Sequence, residues 1–343
     1  MKKLWLHSVR TYIRIGMFFY FKNIEIHGVD NVPKNKAVLL LGNHQNALLD
    51  ALLIGTKCGR SAYFLTRAAV FKKSFVSKLL KSLQMLPVYR IRDGWSSLSK
   101  NNAIFETCTK VLSKNEAVVI FPEGNHNLER RVRPLSKGFT RIVFDALETY
   151  PELDIQLVPV GLNFEDASQF PDSASLYFGK AIPAQSFVLD TRNESVVNLK
   201  ERIKNELSEL TTHIPEDNYD DTLSRLDALN VNYLNPKKVN ACIQSNFKNC
   251  SVKPKKKNYF VKQLFKTLLI ITIFIPYLIW EFLVKPKIKE PEFIATFRFA
   301  MALTLVPTYL IIVILTLSLF VSLLISLIYL MAVIIIALLA VKL

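Results

Sequence analysis

The part of this chain that most restricts how it can fold is its C-terminal end, where residues 299–341 are apolar throughout. At about 1.5 Å per helical residue, such a run is more than twice the ~30 Å thickness of a bilayer's hydrocarbon layer. It predicts a helical hairpin that breaks near Phe320 to Ser322. Upstream, residues 267–284 are apolar except for Glu281 and are interrupted by Pro276. Lysines precede this segment, and Lys285, Lys287, Lys289 and Arg298 follow it. Basic flanks prefer the cytoplasmic side, which favours a re-entrant or interfacial segment over a third crossing.

Residues 22–262 have the mixed composition of a soluble α/β domain. The chain of 343 residues has a net charge of +16, so it needs an anionic partner or surface. No zinc-finger, RRM or KH signature is present, and the apolar runs are long. Anionic lipid is therefore the expected partner and nucleic acid is not. Lys237, Lys238, Lys253, Lys255, Lys256 and Lys257, with Pro236 and Pro254, form a basic linker before the apolar segment. Juxtamembrane lysines of this kind are drawn to anionic lipid by about 1 kcal/mol each. At the other end, Trp5, Leu6, Phe18 and Phe19 alternate with Lys2, Lys3, Arg10 and Arg14. That spacing suits a helix in the headgroup region, or one packed on the domain. The expected organisation is an interfacial amphipathic helix (1–22), an α/β domain (23–235), a basic linker (236–262) and membrane-embedded helices (263–343). Cys58, Cys108, Cys242 and Cys250 lack CxxC spacing and read as reduced thiols, with no disulfide framework and no metal site.

Within the α/β domain, apolar runs of strand length alternate with helical stretches. Strands are expected at 37–41, 61–66, 85–90, 117–121 and 155–162, with a last one near the sheet edge at 176–182. Helices are expected at 47–55, 74–84, 98–112, 138–150, 196–212 and 219–230. Such alternation indicates βαβ units around a mostly parallel sheet flanked by helices, where functional groups gather at the C-terminal ends of strands.

Three polar stretches fall at such ends. In Gly42-Asn43-His44-Gln45-Asn46-Ala47-Leu48-Leu49-Asp50 a histidine at a turn precedes a carboxylate on the following helix. A His whose second ring nitrogen is held by a carboxylate is a general base near neutral pH; alternatively, His44 caps the helix and Asp50 is solvated. Val88-Tyr89-Arg90-Ile91-Arg92 offers two planar guanidinium forks suited to phosphate. Phe121-Pro122-Glu123-Gly124 holds a carboxylate between Pro and Gly, and Arg130, Arg131, Arg133 and Lys137 add positive charge around the same mouth.

In order and spacing these blocks, with Val158-Pro159-Val160-Gly161-Leu162 as the last, resemble the phospholipid/glycerol acyltransferase family over about residues 23–190. That family includes lysophosphatidic acid and glycerol-3-phosphate acyltransferases. The resemblance implies that His44 is the general base on the acceptor hydroxyl and that Asp50 orients its imidazole. It implies an acceptor site built from Asn43, Arg90, Arg92, Glu123, Gly124, Arg133 and Lys137, no metal or bound cofactor, and acyl-CoA or acyl carrier protein as thioester co-substrate. It also implies an integral membrane protein with its catalytic domain on the cytoplasmic face, making phosphatidic acid from 1-acyl-glycerol-3-phosphate. Glycerol-3-phosphate or another glycerolipid or aminolipid is the alternative acceptor. A membrane hydrolase and a non-catalytic lipid-binding protein are the readings from other classes. The sequence departs from the family pattern in two places. Five residues rather than the usual four separate His44 from Asp50, as in some fungal glycerol-3-phosphate acyltransferases, and Asn127 replaces a common Ser or Thr. On a regular helix, a separation of six positions turns about 600° and leaves the two side chains about 120° apart. His44 must therefore lie in the turn, outside the helix.

Overall fold

A computed structural model describes residues 2–89, 99–252 and 259–343. The chain opens with α1 (Lys2–Tyr20) and β1 (Phe21–His27), followed by β2 (Ala37–Gly42), α2 (Ala47–Lys57), β3 (Ala62–Arg67), α3 (Ser74–Ser82) and β4 (Met85–Val88). It continues through α4 (Asn101–Leu112), β5 (Ala117–Ile120), α5 (Gly138–Thr149), β6 (Ile155–Phe164), β7 (Asp172–Phe178) and β8 (Ile182–Pro183). The remaining helices are α6 (Arg192–Leu210), α7 (Tyr219–Ala228), α8 (Pro236–Gln244), α9 (Tyr259–Thr272), α10 (Phe274–Leu278), α11 (Ile294–Phe320) and α12 (Leu323–Lys342).

The strands form one sheet in the order β1-β7-β6-β2-β5-β3-β4, with β8 also paired to β6. Pairings among β2, β3, β4, β5 and β6 are parallel, as is β1 with β7, while β6 is antiparallel to β7 and β8. Strand β2 lies at the centre because it is apolar on both faces, as parallel strands covered from both sides must be. Its alternation splits cleanly between two cores. Leu39 and Leu41 join Val118 and Ile120 under α4, α5 and α6, whereas Val38 and Leu40 join Val119 under α1 and α2. The second core also takes in Ala295 and Phe299, so the first turns of α11 are part of the globular domain.

Several expectations are revised by tertiary pairing. Helix α1 ends at Tyr20, and Phe21 and Lys22 open β1, a strand that polar Lys22, Asn23 and Glu25 disguise. The strand expected at the edge is β7 at 172–178, and β1 pairs on its outer side. Residues 236–244, expected within the linker, form α8, which packs Val239 and Cys242 with Ile214, Leu226, Val231 and Tyr233 in a third small core. Cys242 and Cys250 are joined in a disulfide and only Cys58 and Cys108 are free, because the chain turns back after α8 through Asn246 and Phe247 with positive φ.

The apolar tail divides at Val321-Ser322, where the Ser322 side chain accepts from the Ile325 amide and caps α12. Both halves are long and apolar enough to cross a membrane. The 267–284 stretch breaks at Ile273, and its two arms meet at 98°.

Close approach of α6 to the sheet makes one glycine indispensable. A Cβ on Gly161 of β6 would lie 2.1 Å from the carbonyl oxygen of Leu210. Gly161→Ala should therefore cost about 1–3 kcal/mol, as other overpacked sites do. Thermal unfolding of the purified variant checks this, and an unchanged midpoint would mean that the Leu210 backbone yields freely.

Candidate active site

The site forms where β2 ends. Asn43, buried at the strand end, spends its whole amide on β6: Nδ2 donates to the Leu162 carbonyl (3.0 Å) and Oδ1 accepts from the Leu162 amide (2.7 Å). The next residues are held from other sides. The His44 carbonyl accepts from the Asn127 amide (3.1 Å) and from Arg133 Nη2 (3.3 Å), and Gln45 donates to the Glu129 carbonyl (2.9 Å). Asn46 Nδ2 donates to the Ala167 carbonyl (3.3 Å). Helix α2 then starts at Ala47, whose φ of 42° places it in the left-handed region. The extra residue between His44 and Asp50 is absorbed in this pinned turn.

His44 consequently stands outside the helix, and its Nδ1 lies 2.8 Å from Asp50 Oδ2. The same oxygen accepts from the Asn46 amide (2.7 Å), which ties the carboxylate to the first turn of α2, where the helix dipole favours negative charge. Asp50 is fully buried, and the His44 side chain is 13% exposed. Burial pushes the Asp50 carboxyl up, against the pull of the His44 hydrogen bond and the backbone amides of Asn46 and Gln45. Phe121, the residue after β5, stacks flat on the imidazole, with ring centroids 4.1 Å apart and planes 12° apart. With Nδ1 engaged and one face covered, Nε2 is left to take a proton from a bound hydroxyl.

Glu123 comes next to this ring by a turn in which the Gly124 amide donates to the Phe121 carbonyl (3.1 Å) and Gly124 has φ 76°. Its carboxylate pairs with the Arg133 guanidinium, and Arg133 also donates to the Asn125 carbonyl (2.6 Å). Both side chains are nearly buried, and burial raises the Glu123 carboxyl to about 7 despite its partner. Arg133 thus fastens the Glu123 loop to the His44 turn. Arg130 and Arg131 are also engaged with protein groups. Arg130 donates to the Phe164 and Glu165 carbonyls and stacks on Tyr233, while Arg131 pairs with Glu129 and Glu216. Lys137 is exposed at the start of α5, next to Ser136, whose amide donates to the Pro122 carbonyl. Arg90 and Arg92 lie outside the described residues.

Other participants come from unexpected places. His126 sets its ring against that of His44 (centroids 5.6 Å apart), and Phe293, just before α11, packs on His126 at 4.6 Å. The Leu48 amide donates to Thr296 on α11 (3.3 Å). The C-terminal module therefore closes one side of the site. Nothing in the sequence around Phe293 or Thr296 marks this role, because it depends on where the membrane hairpin docks. Phe121, by contrast, lies inside a motif already singled out. His126 with Glu290 and Glu292 forms a group whose ligand atoms lie within 4.8 Å of one another, a spacing that could hold a metal ion.

A strand-end His–Asp pair facing a buried Glu–Arg pair invites comparison with known proteins. The family model described as Acyltransferase matches residues 23–163. Residues 23–163 thus form an acyltransferase domain. The chain is 23% identical over 116 residues to glycerol-3-phosphate O-acyltransferase 1 of Saccharomyces cerevisiae, a match that covers 32% of this chain and 15% of that protein. It is 26% identical over 130 residues to 1-acyl-sn-glycerol-3-phosphate acyltransferase of Borreliella burgdorferi, which covers 38% and 50% respectively. The chain thus spans half or less of the curated relatives it matches. The crystal structure of the 1-acyl-sn-glycerophosphate (LPA) acyltransferase PlsC from Thermotoga maritima matches with a TM-score of 0.46 at 16% identity, covering 63% of this chain and 83% of that one.

Proposed function

We propose that this acyltransferase moves a fatty acyl group from an acyl thioester to the free hydroxyl of 1-acyl-glycerol-3-phosphate, giving phosphatidic acid. The observation that carries the reading is the 2.8 Å contact between His44 Nδ1 and the buried Asp50 carboxylate, outside the helix. The acceptor hydroxyl attacks the thioester carbonyl while His44 Nε2 takes its proton. Asp50 stabilises the imidazolium, the C–S bond breaks, and the imidazolium returns the proton to the departing thiolate. Arg90 and Arg92, with Lys137, are assigned to the acceptor phosphate, and Glu123 and Gly124 to its glycerol, so that the hydroxyl is already placed for attack. Acyl-CoA and acyl carrier protein, as donors, both present anionic surfaces to a basic protein. The basic linker and the lysines after residue 284 favour a catalytic domain on the cytoplasmic face.

Acceptor choice rests partly on relatives. Those named 1-acyl-sn-glycerol-3-phosphate acyltransferases favour lysophosphatidate. The yeast glycerol-3-phosphate O-acyltransferases, which match over a shorter part of the chain, support glycerol-3-phosphate as the second reading. Membranes containing the protein, given labelled acyl thioester with each acceptor in turn, decide between them. Labelled phosphatidate formed from lysophosphatidate is the expected result. Labelled lysophosphatidate formed from glycerol-3-phosphate alone would shift the assignment to that acceptor. Labelled free fatty acid as the sole product would mark a hydrolase and overturn the proposal.

A further inference from the structure

A cavity of about 370 Å³ opens between the 165–173 segment, β1, the α7 region and α9. Neither His44 nor Asp50 lines it, although the same loop reaches the catalytic turn through the Ala167 carbonyl and Asn46. Its walls carry charge of both signs, from Glu165, Asp166, Asp172 and Asp227 and from Lys22, Lys262 and Lys266. Asp172 is only 5% exposed. Its Oδ1 accepts from the Asp166 amide (2.9 Å), but its Oδ2 is buried without a hydrogen-bond partner. Burial, reinforced by the nearby Asp166 and Glu165 charges, raises this carboxyl to about 7. A buried carboxylate oxygen with no donor at a cavity wall is a vacant acceptor that a cation carrying N–H groups can satisfy.

The position of the lysines says where such a cation comes from. Helix α12 ends beside the cavity: Lys342 donates to the Phe21 carbonyl (2.7 Å), and Lys22 donates to the Leu343 carbonyl (2.6 Å). Helix α9 places Lys262 and Lys266 one turn apart, immediately before its apolar stretch. The cationic rim therefore lies where apolar helices leave the hydrocarbon layer, at the level of lipid phosphates.

We propose that this cavity binds the headgroup of a phospholipid bearing a primary ammonium, with the ammonium donating to Asp172 Oδ2 and the phosphate against Lys262 and Lys266. A quaternary ammonium brings charge but no N–H, and an anionic headgroup brings no cation to Asp172. A primary amine alone satisfies the orphan oxygen, and charge-assisted bonds of this kind are the strong ones.

The test is native mass spectrometry of the full-length protein in detergent, titrated with phosphatidylethanolamine, phosphatidylcholine or phosphatidylglycerol of matched chains. Phosphatidylethanolamine should be retained at about tenfold lower concentration than the other two, the difference one charge-assisted hydrogen bond makes. Soluble glycerophosphoethanolamine should compete with it, which shows that the headgroup and not the acyl chains is recognised. Asp172→Asn keeps the shape and the acceptor for the Asp166 amide, and should abolish the preference over phosphatidylcholine. Lys266→Gln, in the cavity wall, should weaken retention of all three lipids, and His44→Ala should bind like the wild type. Equal retention of phosphatidylethanolamine and phosphatidylcholine by the wild type would overturn the proposal, as would an unchanged preference in Asp172→Asn.

Discussion

Replacing His44 with alanine is expected to lower acyl transfer by about 10³-fold, within the range by which a positioned general base accelerates such reactions. Asp50→Asn should act almost as strongly for a different reason. Oδ2 serves both the Asn46 amide and His44 Nδ1, so an amide oxygen in its place keeps both bonds but brings no negative charge. The imidazolium formed during transfer is then left without its counter-charge, which weakens His44 as a base. Initial rates at saturating thioester, measured on membranes with matched amounts of each variant, give the comparison. Both variants should remain in the membrane with near-native thermal midpoints, since the turn is also held by Asn43, Gln45 and Asn46. A His44→Ala enzyme retaining even a tenth of wild-type activity would remove His44 from the mechanism.

Arg133→Leu should be the most damaging single change outside that pair. Its guanidinium satisfies the Glu123 carboxylate, the Asn125 carbonyl and the His44 carbonyl together. Removing one member of a buried ion pair leaves an uncompensated charge and costs about 3–5 kcal/mol. The loss should depend on pH in a definite sense. Glu123 already titrates near 7 in the folded protein, above its ordinary 4.5, and without Arg133 it moves higher still. A carboxyl raised on folding weakens stability progressively as pH climbs from the unfolded value through the folded one. The variant should therefore fall furthest below wild type at pH 8 and approach it near pH 5 in thermal unfolding. Adding Glu123→Gln removes the buried charge and should restore much of the stability at pH 8. Activity should stay low, at about 10² below wild type, because the His44 turn has lost a tether. If Arg133 instead held the acceptor phosphate, Arg133→Leu would raise KM for lysophosphatidate and leave the unfolding midpoint unchanged at every pH.

These two cases also show where the sequence is informative and where it is not. His44 and Asp50 are readable because both lie on one strand–turn–helix unit. Their six-residue separation requires His44 to lie outside a regular helix, and the structure meets that demand by starting α2 at Ala47. Arg133 has the same local features as Arg130 and Arg131, namely positive charge near a motif. Its partner, Glu123, is close in sequence, but the burial that turns the pair into an internal clamp comes from β2, β5 and α5 packing around it. Asn43 looked equally available to a ligand, yet both ends of its amide go to Leu162, 119 positions away.

The sequence alone determined the architecture set by periodicity and length. It specified a central run of buried parallel strands, the helices between them, an apolar hairpin breaking at 321–322, and a His–Asp pair at a strand end. Each of these follows from interactions within a few turns of chain or from the length of an apolar run. Tertiary structure decided which charges are spent on the protein itself and which segment closes the site. It added β1 outside β7, folded 236–244 into a third core and brought Phe293 and Thr296 against the His44 turn. A polar side chain has no preferred partner until folding sets its distance and burial, and in the His44 turn those were set by strands and helices far away in the chain.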